Sequence, residues 1–402
     1  MRVLIVHPRD LGAPTLGGIQ TFLHDFVKHA PADFDITLAG VTYDRRARPI
    51  GRRSPVHAGH GKAWMLPLAA SGRLARSPLD LLRMALAQLR LRRQMLDRRT
   101  ILQVHRPFRP ILLVGHRGPR VQFVHLDMRA WPGPSGWPRL GHLYRPFSDR
   151  ALNGMDRVYV VNDPGVEMLR KAHPQIAERI ALMPVWYDEE VFHLPAPGER
   201  DAARADIADR LQIKLAGPTD RWVLLAGRLD PVKNPLLALD VFGQLVHKRV
   251  ATLIVAGEGE LRRHVSEQVD ASGLRDAVRF VGDLARDELA ALMHASDALL
   301  LTSTAEGGGP RVVVESLASG LPVVTADVGD VRRTVTSGIN GWIAPVGDQG
   351  ALVEGLRWVF DEPREQIAQA CARAVEPYTA RRILEPLYAT YRRLADGDEG
   401  AA

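Results

Sequence analysis

Short apolar runs rich in Val, Ile and Leu recur along the chain and alternate with segments whose apolar residues have helical spacing. Such runs are typical of buried parallel strands, which need helices as crossover connections. The pattern therefore predicts an α/β fold of two Rossmann-like domains, each built on a parallel sheet. The predicted strands are 3–6, 36–41, 101–104, 111–114, 121–125 and 158–161 in the first series, and 222–226, 252–256, 278–281, 298–301, 322–325 and 341–344 in the second.

The same periodicity predicts the helices and the division of the chain. Apolar residues spaced three and four apart predict helices at 19–28, 235–246, 259–272, 286–295, 311–318 and 379–394. Two prolines within 192–197 interrupt the pattern and indicate a link between domains. We expect a first domain over 1–191, a second over 192–377, and a segment 378–402 whose helix packs back toward the first domain and whose end is loose.

Composition favours a soluble protein of about two domains, since 46% of the 402 residues are hydrophobic and 25% are charged. The one cysteine, Cys371, excludes an internal disulfide and fits a reducing compartment. The apolar run within residues 1–10 is too short for a secretory signal or a membrane span. We therefore expect a cytoplasmic protein.

Charge is distributed unevenly along the chain. Residues 1–190 carry 29 Lys and Arg against 16 Asp and Glu, whereas residues 191–402 carry 24 against 30. A basic half favours an anionic partner, such as a nucleic acid, an anionic membrane or a charged acceptor, although a general preference for Arg explains it equally well. Segment 77–99 has leucines on one helical face and arginines on another, which suits either a membrane-surface helix or an ordinary helix covering the sheet.

Two cations follow the first strand of the second series. Arg228 comes directly after residues 222–227, and Lys233 lies at the mouth of the next predicted helix. Ligands of open α/β sheets bind beyond the carboxyl ends of the strands, so both side chains are placed to neutralise a phosphate group. The alternative is an Arg and a Lys in an ordinary surface loop.

A glycine-rich turn further along carries two glutamates, Glu306 before the turn and Glu315 on the helix after it. Free backbone N–H groups and the positive end of a helix bind phosphate, while carboxylates accept hydrogen bonds from sugar hydroxyls. The alternative is that Glu306 caps the helix and Glu315 lies on the surface. The candidate residues between the glutamates are Gly308, Gly309 and Pro310 in the turn, and Arg311 and Val312 at the start of the helix.

Weaker signals lie in the first series. Gly17 and Gly18, between the first strand and the first helix, allow a phosphate to approach the backbone, although a simple turn accounts for them too. His125 ends the run that starts at Val121 and is a candidate for positioning a sugar or an acceptor.

Other classes of site lack support in the sequence. It has no Cys or His cluster with zinc spacing, no P-loop and no Gly-x-Ser-x-Gly motif. Asp33 and Asp35 have the spacing of a metal-binding pair but precede a strand, so we interpret them as a solvated turn. The interleaved aromatic and basic residues of nucleic-acid modules are absent. We therefore expect neither a metal site nor a nucleic-acid partner.

Together these motifs resemble those of the retaining glycosyltransferases of family 4, whose GT-B fold has two Rossmann-like domains with parallel sheets facing across a cleft. The resemblance covers nearly the whole chain and is most specific in the second half. Its segments are 17–20 and His125 in the first half, and 227–235, 255–259, 278–282, 303–315 and 319–324 in the second.

The resemblance implies a role for each candidate. Arg228 and Lys233 would bind the diphosphate of the donor, Glu306 and the turn after it would hold the transferred sugar, and Glu315 would bind the ribose. His125 would be the active-site histidine, and Gly17 and Gly18 would belong to the donor loop. The base would lie near Phe280, Val281 and Gly282.

Two segments depart from the pattern of the family. The two glutamates are separated by eight residues where relatives usually have seven, and Pro184-Val-Trp-Tyr-Asp188 stands where many have Pro-Asn-Gly-Val-Asp. Neither departure removes the phosphate clamp formed by Arg228 and Lys233.

The expected activity is transfer of a hexose, with retention, from UDP- or GDP-hexose to a hydroxyl of a glycan, lipid-linked or polysaccharide-precursor acceptor, without metal or cofactor. Acceptor walls are expected at 45–62 and 131–143, and the basic half is expected to contact the inner face of an anionic membrane. The alternatives are a nucleotide-sugar epimerase or hydrolase of GT-B fold and a non-catalytic protein that binds sugar nucleotides.

Overall fold

The computed structural model describes residues 1–6, 18–42, 44, 46–56, 62–70, 97–105, 115–125, 149–196, 198–213, 220–246 and 251–397. The chain forms two compact units, the first comprising residues 1–184 and 380–402 and the second residues 185–379. No helix within the described residues is long and apolar enough to cross a membrane.

The first unit is built on a sheet of eight described strands in the order β3-β4-β2-β1-β5-β6-β7-β8. All neighbours pair in parallel except β3 with β4. The strands are β1 (Arg2–Val6), β2 (Asp35–Thr42), β3 (Ser54–Val56), β4 (Lys62–Ala70), β5 (Ile101–Val104), β6 (Arg120–Val124), β7 (Arg157–Val160) and β8 (Ile180–Leu182), and the helices are α1 (Gly18–Lys28), α2 (Asp163–Ala172) and α10 (Ala380–Asp396), with a 3₁₀ turn at Pro174–Arg179.

The described part of the second unit has six parallel strands in the order β11-β10-β9-β12-β13-β14. Alternate residues of β9 pack on opposite faces, Trp222 and Leu224 in one core and Val223 and Leu225 in the other, which explains its unbroken apolar run. The strands are β9 (Arg221–Ala226), β10 (Ala251–Ala256), β11 (Val278–Gly282), β12 (Ala298–Leu301), β13 (Val323–Ala326) and β14 (Gly341–Ala344). The helices are α3 (Glu199–Arg210), α4 (Pro235–Val246), α5 (Arg262–Ala271), α6 (Arg286–Ala295), α7 (Arg311–Ala318), α8 (Gln349–Asp361) and α9 (Arg364–Val375), with 3₁₀ turns at Val331–Arg333 and Glu376–Tyr378.

The change from one unit to the other lies seven residues before the predicted 191/192 boundary. Phe192 is fully buried in a core of the second unit, and the Tyr187 N–H donates to the Tyr378 carbonyl at 3.0 Å. Residues 185–191 therefore pack with the second unit. The chain returns to the first unit at Ala380, two residues after the predicted start of the C-terminal segment.

Strand β4 was not predicted, because Pro67 stands in its middle and prolines are rare inside sheets. The strand accommodates Pro67 by an irregular register: Gly40 of β2 pairs with Pro67, whereas Val41 pairs with Ala69. The Pro67 carbonyl accepts from the Gly51 N–H at 2.8 Å. The predicted strand 111–114, the acceptor wall 131–143, nearly all of the basic segment 77–99 and part of 45–62 lie outside the described residues.

Candidate functional site

The second sheet reverses its strand order between β9 and β12, which are neighbours although they are far apart in sequence. In an open α/β sheet the loops that leave such a position diverge and create a crevice for ligands. The loop after β9 carries Arg228 and Lys233, and the loop after β12 carries Glu306. The fold therefore brings the two predicted cations and one predicted carboxylate to the same edge of the sheet.

These two loops are joined by backbone hydrogen bonds. The Thr304 N–H donates to the Val232 carbonyl at 2.8 Å, and the Thr302 hydroxyl donates to the carbonyls of Lys233 at 3.1 Å and Asn234 at 2.9 Å. The Lys233 N–H in turn donates to the Asp230 carboxylate at 3.0 Å. The backbone that carries Lys233 is therefore held from both sides.

Glycines allow the neighbouring loops to approach closely. A Cβ at Gly257, where φ is +134°, would lie 2.0 Å from the Gly227 carbonyl oxygen, and a Cβ at Gly259 would lie 2.3 Å from that of Leu229. The Gly257 N–H donates to the Gly282 carbonyl at 2.7 Å. No other residue type fits at Gly257 or Gly259 without moving backbone, which explains both glycines of segment 255–259.

Lys233 and Glu306 form an ion pair across the switch point, with Nζ 2.5 Å from Oε1 and side chains 21% and 14% exposed. Arg228 is 73% exposed and pairs with Asp230 at 3.1 Å. The Arg228 side chain therefore reaches toward solvent, whereas Lys233 is held in the site by Glu306. Sequence reasoning identified both residues of the pair without indicating that they meet.

The glycine turn packs tightly before helix α7. A Cβ at Gly309 would lie 2.7 Å from the Val185 side chain. A Cβ at Gly329 would lie 2.1 Å from the carbonyl oxygen of Gly308. Helix α7 begins with Arg311 and Val312, directly after this turn. Its N-cap residue is Pro310, whose side chain makes no capping hydrogen bond. A helix N-terminus without a capping side chain suits an anion.

Glu315 is buried, with only 5% of its surface exposed, so the surface alternative for this residue is wrong. Its Oε1 lies 3.8 Å from Arg286 and 3.9 Å from Arg311. Arg286 also lies 3.7 Å from Asp188. Sequence reasoning placed Arg286 only as the first residue of a helix, and nothing in its local pattern indicated that it reaches Glu315.

The predicted base site lies at the end of β11. The Arg262 guanidinium lies 3.6 Å from the centre of the Phe280 ring, close enough for a cation–π interaction. Val281 packs against the core, and Gly282 has a φ of +72° that favours glycine. Arg262 was not among the predicted residues.

The predicted residues of the first unit lie at two places. Gly18 is the first residue of α1, whereas Gly17 lies outside the described residues. His125 directly follows β6, and its Nε2 is 2.8 Å from Nδ1 of His105, which directly follows the neighbouring strand β5. His105 was missed because the two histidines are twenty residues apart in sequence and meet only through the pairing of β5 with β6.

Comparison with known proteins agrees with this geometry. Residues 207–375 match the family model described as glycosyl transferases group 1. The similarity to this family therefore covers the segment that carries the switch point, the ion pair and the glycine turn.

Curated relatives extend the match beyond these residues. The D-inositol 3-phosphate glycosyltransferase of Mycolicibacterium smegmatis is 29% identical over 249 residues, which are 61% of this chain and 54% of the relative. That of Mycobacterium marinum is 30% identical over 258 residues, 62% of this chain and 52% of the relative. The chain thus spans about half the length of the curated relatives it matches.

Solved structures show the fold. Sucrose-phosphate synthase from Thermosynechococcus elongatus has a TM-score of 0.79 at 18% identity over 98% of this chain and 99% of its own. The Anabaena protein HepE, solved with UDP-glucose, has a TM-score of 0.70 at 18% identity over 98% and 99%. The predicted GT-B class, with two parallel-sheet α/β domains, is confirmed at the level of the fold.

Proposed function

We propose that this protein is a retaining glycosyltransferase that moves a hexose from a nucleotide diphosphate sugar to an acceptor hydroxyl. The observation that carries the proposal is the Lys233–Glu306 pair at the switch point of the second sheet, 2.5 Å apart and beside the start of α7. A cation, a carboxylate and a helix N-terminus at one sheet edge are the groups that a diphosphate joined to a sugar requires. The family match over 207–375 supports the same conclusion.

The ion pair suggests how the donor is bound. The donor diphosphate takes Lys233 from Glu306, and Glu306 then accepts hydrogen bonds from sugar hydroxyls. Both groups stay partnered, so binding leaves neither charge buried and unpaired. Arg228, which is exposed beside Asp230, adds a second cation for the diphosphate.

In the transfer, the bond between the anomeric carbon and the diphosphate oxygen breaks, and the acceptor oxygen forms its bond to that carbon on the same face. The acceptor proton passes to the departing diphosphate, so no enzyme nucleophile is needed. Lys233 and Arg228 stabilise the negative charge that develops on the leaving oxygen. Loss of such a contact typically costs about 3 to 4 kcal/mol, or roughly a hundred- to thousandfold in kcat.

The relatives suggest substrates to test. The two mycobacterial relatives are named for D-inositol 3-phosphate, a phosphorylated polyol, and the HepE structure contains UDP-glucose. We propose a UDP-hexose as donor and an acceptor that carries negative charge, free or lipid-linked, because residues 1–190 are strongly basic. Contact of this basic half with an anionic membrane rests on the same charge asymmetry.

The test is thermal stabilisation of the full chain by UDP- and GDP-sugars. A cognate donor should raise the melting temperature by mass action, and Lys233→Ala should abolish the shift. Arg332→Ala is the matched control, because Arg332 is an exposed cation of the same unit whose partner is Asp327. A folded protein that no nucleotide sugar stabilises would contradict the assigned site.

Reactions with the cognate donor then distinguish a transferase from a hydrolase, an epimerase and a non-catalytic protein. Incubation with candidate acceptors, followed by NMR of the anomeric proton, should show a product with the configuration of the donor sugar. Release of free sugar at full rate without acceptor would favour a hydrolase, and donor epimerisation would favour an epimerase. Donor binding without turnover of any acceptor would favour a non-catalytic protein.

A further inference from the structure

A row of polar side chains runs through the interior of the first unit from helix α10 to the end of β6. The Tyr391 hydroxyl is 2.8 Å from Oε1 of Gln103, and Nε2 of Gln103 is 2.7 Å from Nε2 of His105. Nδ1 of His105 is in turn 2.8 Å from Nε2 of His125. These four residues form an uninterrupted line of hydrogen bonds that ends on the predicted active-site histidine.

Packing fixes the geometry of this line. Tyr391 and Gln103 are fully buried, and His105 is 2% exposed. The two imidazole planes are 17° apart, and the Phe22 ring lies at 73° to His105 and 85° to His125, with centroids 5.1 Å and 5.3 Å away. Burial and these ring contacts hold the two imidazoles side by side, with Nδ1 of His105 facing Nε2 of His125.

The direction of the hydrogen bonds is set at the Tyr391 end. Tyr391 makes no other hydrogen bond to the residues that the structure describes, so its proton is satisfied only by donation to the Gln103 carbonyl oxygen. Reversal of the Gln103 amide would leave that proton buried without an acceptor, at a typical cost of about 1 to 3 kcal/mol. Burial raises the pKa of the Tyr391 hydroxyl well above its usual value, so the donor stays protonated.

The remaining protons follow in order. Because the Gln103 oxygen accepts from Tyr391, its NH₂ group donates to Nε2 of His105, which must be unprotonated. The proton of neutral His105 is then on Nδ1 and is donated to Nε2 of His125. Neutral His125 therefore carries its own proton on Nδ1.

We propose that Tyr391, Gln103 and His105 form a relay of positioning residues that holds His125 as the tautomer protonated on Nδ1. The role of this tautomer rests on the proposed function: His125 donates a hydrogen bond from Nδ1 to an oxygen of the sugar or of the acceptor. It is not a general base, because one ring nitrogen accepts from His105 and the other is already protonated. Helix α10, the last helix that the structure describes, thus sets the tautomer of a residue at the end of β6.

The tautomers can be measured directly in the full-length protein. In a sample labelled with ¹⁵N-histidine, NMR distinguishes protonated from unprotonated ring nitrogens, and His125→Gln and His105→Gln assign the signals. We expect both histidines to be protonated on Nδ1. An Nε2 proton on His125 in the wild-type protein would overturn the relay, whatever the activity.

Variants test whether Tyr391 sets the tautomer. Tyr391→Phe frees the Gln103 amide to reverse, so we expect a mixture of His125 tautomers. Tyr388→Phe is the matched control: Tyr388 lies on the same helix, is 3% exposed and donates to the Phe26 carbonyl at 2.7 Å, so it loses an equivalent buried hydrogen bond outside the relay. Equal tautomer populations in the wild type and both variants would contradict the proposal.

Activity gives a second readout once the donor is known. Removal of the groups that orient metal-bound histidines typically costs 10- to 100-fold. By analogy, we expect Tyr391→Phe to lower kcat by about tenfold, while Tyr388→Phe leaves it unchanged. Gln103→Met, which removes both hydrogen bonds of the amide, should match Tyr391→Phe. If no donor is found, the proposed function fails, but the NMR result still tests the relay.

Discussion

The two units hold their candidate residues by different means. In the second unit the site is charged: Lys233 pairs with Glu306, and Arg286 and Arg311 lie near the buried Glu315. In the first unit the row that ends at His125 consists of a tyrosine, a glutamine and two histidines joined by hydrogen bonds inside the core. The first arrangement suits charge that arrives with a ligand, whereas the second suits a fixed hydrogen-bond direction.

The contrast extends to the scaffold behind each site. At the opposite edge of the second sheet, Asp297 is 3% exposed and lies within 3.2 Å of Arg200, Arg204 and Arg221. In the first unit, α10 is anchored by Tyr388 and Tyr391, which are buried and donate to oxygen acceptors. We therefore expect the second unit to be the more sensitive to loss of a charge and to acid.

The largest expected effect is on Asp297. Asp297→Asn leaves three arginines without their shared carboxylate, and loss of one partner from a buried ion pair typically costs about 3 to 5 kcal/mol. Urea unfolding of the full chain, followed by tryptophan fluorescence, measures the change. Asp327→Asn, which breaks an exposed pair with Arg332, is the control and should cost less than about 1 kcal/mol.

The stability difference between Asp297→Asn and the wild type should depend on pH, because the pKa of Asp297 is shifted in the folded protein. Burial raises the pKa of the Asp297 carboxyl, but the charges of Arg200 and Arg364 outweigh it, so the net pKa lies below the usual value. A carboxyl with a lowered folded-state pKa stabilises above its unfolded pKa of about 4, and this stability is lost as the pH falls through the folded pKa. Asp297→Asn should therefore differ most from the wild type near neutral pH. A difference that persists unchanged in strong acid would show that the charge is not responsible.

A smaller effect is expected where the loops of the second unit meet. Gly257→Ala places a Cβ 2.0 Å from the Gly227 carbonyl at a φ of +134°, so strain and overpacking together should cost about 3 kcal/mol. The matched control is Gly273→Ala, where φ is +68° but no atom lies within 4 Å of the added carbon. It should cost only about 1 kcal/mol in a thermal melt. Equal losses in the two variants would mean that backbone conformation, and not loop contact, makes Gly257 necessary.

Much of the scaffold could be predicted because its signals are local. The run 298–301 and the helices 235–246, 286–295 and 311–318 have the predicted bounds. Helix α3 was missed because only Ile207 and Ala208 of its twelve residues are buried, which is too narrow an apolar stripe to recognise.

The partners of the site residues were harder to predict. Lys233 meets Glu306, and His105 meets His125, only because strands distant in sequence become neighbours in a sheet. A single sequence gives the type of residue after each strand but not the order of the strands. The candidate residues were therefore accessible from the sequence, whereas their pairing was not.

The smallest expected effect concerns a charge pair of the first unit. Arg392 of α10 pairs with Asp33 at 2.7 Å, and the two side chains are 45% and 52% exposed. The hydrogen bond from Arg392 lowers the pKa of the Asp33 carboxyl, so any stabilisation is present above its unfolded pKa of about 4 and is lost as the pH falls further. Solvent screening limits such an exposed pair to less than about 1 kcal/mol. Asp33→Asn should therefore hardly change the free energy of unfolding at neutral pH. In 0.5 M NaCl the Debye length falls to about half its physiological value, so any remaining difference should shrink further. A loss as large as that of Asp297→Asn would show that charge holds both units alike, and the contrast between them would fail.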